Sequence, residues 1–154
     1  MKKLWKTFVS YVIVFQMKDN LKISLDTNIW MFGLEGANPS CEKILANVAG
    51  LNVVVPDRVR IELEGKLPKF QKKRFYKLVQ DIGIEVDFTP VPSNFIELFK
   101  QKGLKKGDAE IGAFCEWRKI DIFISRNRDF LKGLTSGHHF RVLSPECFCE
   151  EFGL

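Results

Sequence analysis

Short apolar, β-prone runs alternate along this chain with stretches whose apolar residues recur at helical spacing, and few folds accept that alternation. The runs are Ile23 to Leu25, Leu51 to Val55, Ile84 to Phe88, Asp121 to Ser125 and Phe140 to Leu143. Between them, Asn38-Pro39 reads as an N-cap and first helical position, and Gly50 as the end of that helix. Asp57 reads as the cap of a short helix from Arg58 to Glu64, and Pro68 as the opening of a longer one to Asp81. Further helices are expected from Ser93 to Lys102, from Ala109 to Lys119 behind Asp108, and from Ser144-Pro145 onward, while Gly33 and Gly36 read as a loop. Strands alternating with helices place the chain in the α/β class, as a three-layer α/β/α sandwich with a mainly parallel central sheet.

A length of 154 residues suits one domain, here 21–154, preceded by an extension over 1–20 with no assigned role. Leu4 to Phe15 imitates the apolar part of a signal peptide. Lys6 interrupts it, no small-residue cleavage site follows, and spanning a bilayer takes about 18 apolar residues, so no membrane role is expected. Cys41, Cys115, Cys147 and Cys149 form no CxxC pair, and the adjacent His138 and His139 lack zinc-ligand spacing. Reduced thiols and a cytoplasmic location follow. The net charge of +5 favours a polyanionic partner.

The chemistry gathers at strand ends. Asp26 closes the first apolar run, where an open α/β sheet forms its ligand crevice, yet it also reads as the cap of a helix beginning near Thr27; both readings stay open. Glu62 shares a helix face with Val59, Asp108 opens the helix before the fourth strand, and Asp129 lies just beyond that strand. Taken singly, Glu62 reads as a solvated helix residue, Asp108 as an N-cap and Asp129 as a turn residue. Together they would repel one another unless a cation neutralised them. Oxygen-only ligands suit Mg²⁺ or Mn²⁺ rather than zinc. Asn28 can hold the carboxylate of Asp26 by a hydrogen bond. Lys69, Lys72, Lys73 and Lys77 make a basic helix face, which reads as solvated or as a track for a phosphate backbone, and Lys105, Lys106, Arg126 and Arg128 add basic loops. Glu64 and Glu110 flank the cluster and read as surface groups or as supports just behind the acids, and His138 and His139 as exposed loop residues.

Four motifs in order carry a resemblance: Leu25-Asp26-Thr27-Asn28, Pro56-Asp57-Arg58-Val59-Arg60-Ile61-Glu62-Leu63, Gly107-Asp108-Ala109-Glu110 and Ile124-Ser125-Arg126-Asn127-Arg128-Asp129-Phe130. From Leu21 to Leu143 the chain resembles the PIN domain, a family that includes the VapC-type toxins. The resemblance implies an α/β/α fold and Mg²⁺- or Mn²⁺-dependent cleavage of RNA. It also implies either a toxin restrained by an antitoxin protein or an RNA-processing enzyme, and a homo-oligomer, dimer or tetramer. Asp26, Glu62 and Asp108 match the family's acids in turn, and Ser125 matches its usual Thr or Ser. Asn127 stands where many members carry an acid, so Asp129 is expected to supply the fourth carboxylate. In this reading Asp26, Asp108 and Asp129 hold the metal, Glu62 binds it or orients a water, and Asn28, Ser125 and Asn127 support the acids. Lys72, Lys73, Lys105, Lys106, Arg126 and Arg128 contact RNA. The rival reading is a non-catalytic nucleic-acid- or partner-binding module with a degenerate acidic site. An aspartyl-phosphate enzyme would want a second Asp where Asn28 stands.

Overall fold

The apolar runs form five strands in the computed structural model, which describes residues 21–134 and 136–154; the extension expected over 1–20 falls outside them. They are β1 (Lys22–Leu25), β2 (Asn52–Pro56), β3 (Glu85–Asp87), β4 (Ile122–Ile124) and β5 (Arg141–Leu143), in the order β3-β2-β1-β4-β5. Every neighbouring pair is parallel. Ile23, Ser24 and Leu25 of central β1 are all fully buried. That is why the run shows no polar alternation: helices cover both faces of a parallel sheet.

The crossovers are α1 (Thr27–Glu35), α2 (Pro39–Ala46), α3 (Asp57–Lys66), α4 (Lys69–Ile82), α5 (Ser93–Gln101) and α6 (Lys106–Trp117), with α7 (Pro145–Phe152) closing the described chain. The layers interlock through aromatic rings. Trp30 of α1 meets Phe75 of α4 edge-on at 5.0 Å, and Phe123 of β4 meets Phe130 at 4.7 Å. All four rings are fully buried, and such pairs add about 0.5–1.5 kcal/mol beyond their area. The result is the expected α/β/α sandwich.

Several boundaries differ from the sequence expectation. Gly33 lies inside α1 rather than in a loop, and only Gly36, with φ of 69°, ends that helix. Gly33 is there because α2 passes close: a Cβ would stand 2.7 Å from Leu45 Cγ and 3.1 Å from the Cys41 carbonyl oxygen. The helix expected to run to Gly50 stops at Ala46 and gives way to a 3₁₀ turn, Val48–Gly50. Asp57 is the first residue of α3 and Pro56 occupies the cap; the Asp57 carboxylate accepts from Arg60 Nε at 2.7 Å. The segment from Asp129 to Gly133 winds into one π-helical turn. Gly33→Ala should therefore destabilise the protein by about 1–3 kcal/mol through overpacking, despite alanine's better helix propensity. Urea unfolding checks this; a variant as stable as the parent would show that α1 and α2 can part at little cost.

Candidate functional site

Sheet order locates the crevice. From β1 the chain steps outward to β2 and β3, then returns to the other side of β1 for β4 and β5. A reversal of this kind opens a cleft at the carboxyl edge, here between β1 and β4. Leu25 pairs with Ile124 across these strands, so Asp26 and Ser125 meet just beyond them. The ladders continue past the strand ends: Asp26 N donates to Ile124 O at 2.9 Å, and Ser125 N donates to Leu143 O at 3.0 Å.

Asp26 uses both oxygens. Oδ1 accepts from Thr27 N at 2.8 Å, which caps α1, and Oδ2 accepts from Ser125 Oγ at 2.6 Å. The two readings of Asp26 thus describe one geometry, in which the helix cap is also a carboxylate at the sheet switch point. Asn28 Nδ2 stands 3.5 Å from Oδ2, at the outer limit of a hydrogen bond. Asp26 is 4% exposed. Burial is the largest influence on its carboxyl and pushes the pKa up to about 6. Its two hydrogen bonds oppose that rise, while the charges of Asp108 and Glu62 add to it.

From Ser125 the contacts run on to the remaining acids. Asn127 N donates to Ser125 Oγ at 2.9 Å, Asn127 Nδ2 donates to Asp108 Oδ2 at 3.0 Å, and Asn127 Oδ1 accepts from Asp129 N at 2.9 Å. Asn28 Oδ1 accepts from Arg126 N at 3.3 Å. Two asparagine side chains therefore pin the segment that follows β4. Asp108 lies within the first turn of α6, where Lys105 holds the cap position, so it is not the N-cap that its sequence context suggests. Burial raises its pKa; the Asn127 bond opposes this, the charges of Glu62 and Asp129 add to it, and Lys105 offsets it. Asp129 is exposed at the start of the π-helical turn.

Glu62 reaches the group through Thr27, whose Oγ1 donates to Oε2 at 2.6 Å. Its other oxygen accepts from Arg58 Nε at 3.2 Å. Arg58 Nη1 also stands 3.9 Å from Glu110 Oε2, at the outer reach of an ion pair, so Glu110 flanks the group. Sequence reasoning missed Arg58, although its four-residue spacing from Glu62 was a signal. Gly107 makes room for the pair: a Cβ there would stand 3.0 Å from Glu62 Oε1 and 3.2 Å from Arg58 Nη2.

The basic residues are spread more widely. Lys105 and Lys106 are exposed at the start of α6, and Arg126 and Arg128 are exposed after β4, Arg126 stacking on Phe32 at 4.6 Å. Lys73 is exposed on α4, and Lys72 Nζ lies 3.9 Å from Glu64 Oε2. His138 departs from the expected exposed residue: it is half-buried, with Nδ1 2.7 Å from the Phe140 carbonyl oxygen. His139 is exposed but is held by Glu116 at 2.9 Å.

Donor chemistry decides which metal the acids suit. Oxygen alone is on offer, and burial, with repulsion between the acids adding to it, raises two of the carboxyls, which fits a hard divalent cation. Among the described residues, no three carboxylates, imidazoles or thiols are grouped as a ready-made cage. The acids are held instead by Ser125, Thr27, Asn127 and Arg58, which keep them apart while leaving oxygen lone pairs for a cation.

A parallel sheet reversing at β1, with hydrogen-bonded acids at that point, defines an open α/β domain with an acidic crevice. The chain belongs to the PIN domain family, whose model matches residues 23–133. Two solved structures share the fold. One is VapBC2 from Rickettsia felis bound to a DNA fragment from its promoter, at 16% identity and a TM-score of 0.62, covering 80% of this chain and 98% of that one. The other is FitAcB from Neisseria gonorrhoeae, at 20% identity and a TM-score of 0.50, with the same coverage of 80% and 98%. Among curated protein sequences, nothing matches. Among the described residues, no helix is long and apolar enough to cross a membrane.

Proposed function

We propose that this chain is a divalent-metal-dependent endoribonuclease that hydrolyses RNA phosphodiester bonds. The observation that carries the reading is the continuous set of contacts Asp26–Ser125–Asn127–Asp108 at the sheet switch point, with Glu62 joined through Thr27. Asp26, Asp108 and Asp129 are the residues that would hold Mg²⁺ or Mn²⁺. The cation, when bound, would supply positive charge to offset the negative charge building on the phosphoryl oxygens. Ser125 and the Thr27 amide fix the direction of the Asp26 carboxylate, and Asn127 does the same for Asp108. Glu62, steered by Thr27 and Arg58, orients the attacking water for in-line displacement. Lys105, Lys106, Arg126 and Arg128 meet the RNA backbone without reading its sequence.

The two similar structures are named for toxin–antitoxin pairs, which supports a small antitoxin protein as this chain's partner and a toxin as its role. A homo-oligomer belongs to the same reading. The test is cleavage of a mixed RNA pool with Mn²⁺, with Mg²⁺ and with a chelator. Asp26→Asn and Asp108→Asn should each lower the rate by roughly a hundredfold or more, the loss usual when a group supporting transition-state charge is removed. Cleavage that persists in chelator, or in both variants, would sink the proposal. Asn127 favours a second reading, because an amide donates to Asp108 where an acid would share a cation. On that reading, a binding module, the protein retains RNA and never cuts it.

A further inference from the structure

Beside the acids, the carboxyl edge over β2 and β3 holds a small pocket of about 130 Å³. Phe88, Pro90 and Val91 give it apolar walls, and Asp57, Arg58 and Glu110 give it polar ones. Phe88 follows β3 and is 63% exposed. Phe70 is exposed as well, but Phe88 differs from it in lining a pocket, where it forms one apolar wall together with Pro90 and Val91. Arg60 lies over the ring with its guanidinium carbon 5.2 Å from the centroid, and Arg60 Nε is itself tethered to Asp57 at 2.7 Å. The ring is therefore steadied without being covered. Arg58 links this pocket to the acids, because the same guanidinium reaches Glu62 at 3.2 Å and Glu110 at 3.9 Å.

We infer that this pocket is a nucleobase subsite, in which one unpaired base of the RNA stacks on Phe88 while its backbone passes Arg58 toward Asp26. The inference rests on the ribonuclease reading and adds to it a site for one particular nucleotide. Volume supports a single base: drug-sized ligands occupy about 300–1,000 Å³, so the space admits one ring system and not a peptide segment. Chemistry supports it further, since stacking on an aromatic face with guanidinium groups nearby is how single strands are held. The carboxylates of Asp57 and Glu110 accept hydrogen bonds and donate none, so they select a base edge carrying an amino group. Cytosine, adenine and guanine present an exocyclic amino group, whereas uracil offers only its N3–H, flanked by two carbonyl oxygens that the carboxylates repel.

Uncharged nucleosides separate this subsite from the acidic site, since they carry no phosphate and need no metal. Cytidine, adenosine and uridine would be titrated into the full-length protein in chelator, with backbone amides followed by NMR. Cytidine and adenosine should shift Thr89 and Val91, and uridine should do so several-fold more weakly. Phe88→Ala should weaken binding about tenfold, in line with the stacking contribution of one base, while Phe88→Trp preserves it. Because the side chain is exposed, both variants should fold, and circular dichroism checks this. No shifts at about 10 mM, where a millimolar dissociation constant would be plain, overturn the subsite while leaving Asp26-dependent cleavage untouched. Binding as tight in Phe88→Ala as in the parent overturns it too. So does a Phe88→Ala variant that changes only the sedimentation of the protein, which would make the ring a contact between copies. Cleavage absent in the wild type, with nucleoside shifts intact, would instead count against the nuclease reading alone.

Discussion

Asp26→Asn should make the metal-free protein more stable above neutral pH, although it removes a helix-capping carboxylate. Burial, the larger influence, raises the Asp26 carboxyl from 3.8 to about 6. A raised folded-state pKa contributes stability that is fully present below the unfolded value and lost as pH rises through the folded one. The window is therefore from about pH 4 to about pH 6, and ionised Asp26 weighs against folding by about 3 kcal/mol at 1.36 kcal/mol per unit. Asparagine never ionises. Its oxygen can still accept from Thr27 N, and its amide can donate to Ser125 Oγ, at the cost of about 1 kcal/mol for an exchanged hydrogen bond. Urea unfolding in chelator should show the variant ahead by about 1–2 kcal/mol at pH 8 and behind near pH 4. Adding Mg²⁺ should reverse the order at pH 8, since native-state binding contributes about 2.7 kcal/mol at a hundredfold excess over the dissociation constant. A variant that is less stable at every pH would reduce Asp26 to a structural cap.

Asn127→Asp should have the opposite character, poorer without metal and better with it. The native amide donates to Asp108 at 3.0 Å, and its own oxygen accepts from Asp129 N. A carboxylate keeps the second contact and replaces the first with repulsion. Losing a hydrogen bond to this half-buried carboxylate costs about 0.5–1.5 kcal/mol, and the Asp108 carboxyl, already raised by burial, should rise further. Mn²⁺ should then bind more tightly, because the added charge is one that a cation neutralises. Isothermal titration of both proteins with Mn²⁺ and thermal unfolding in chelator read the two halves separately. Weaker Mn²⁺ binding by Asn127→Asp would show that the amide itself is needed at this position. Asp129→Asn provides the contrast: its residue is exposed, so it should leave metal-free stability nearly unchanged.

These contrasts also mark what the sequence discloses. Ile23 to Leu25 and Ile122 to Ile124 are legible as buried strands because their burial on both faces removes polar alternation, and Asp26 is legible as the residue that ends the first. Asn127 stands out through its departure from an acidic pattern, but its double contact with Asp108 and Asp129 depends on how the segment after β4 is wound. Gly33 reads as a loop in the sequence because glycine signals a turn equally with a close helix contact, and only the position of Leu45 distinguishes them. Arg58 escaped notice because i, i+4 charge pairs are common on exposed helices, whereas here the pair is seated against Gly107. Phe88 hides more thoroughly still. Composition shows fourteen phenylalanines, and a string of letters does not say that Phe70 and Phe88 are among those the core leaves in water.

The bond between Ser125 and Asp26 joins residues 99 positions apart, and that has a consequence during synthesis. A growing chain can pair β1 with β2 early, but Asp26 gains its serine partner only when β4 enters beside it. Until β4 has left the ribosome and paired with β1, the crevice lacks one wall. On the ribonuclease reading proposed above, the acids come together as one site only after β4 has docked beside β1.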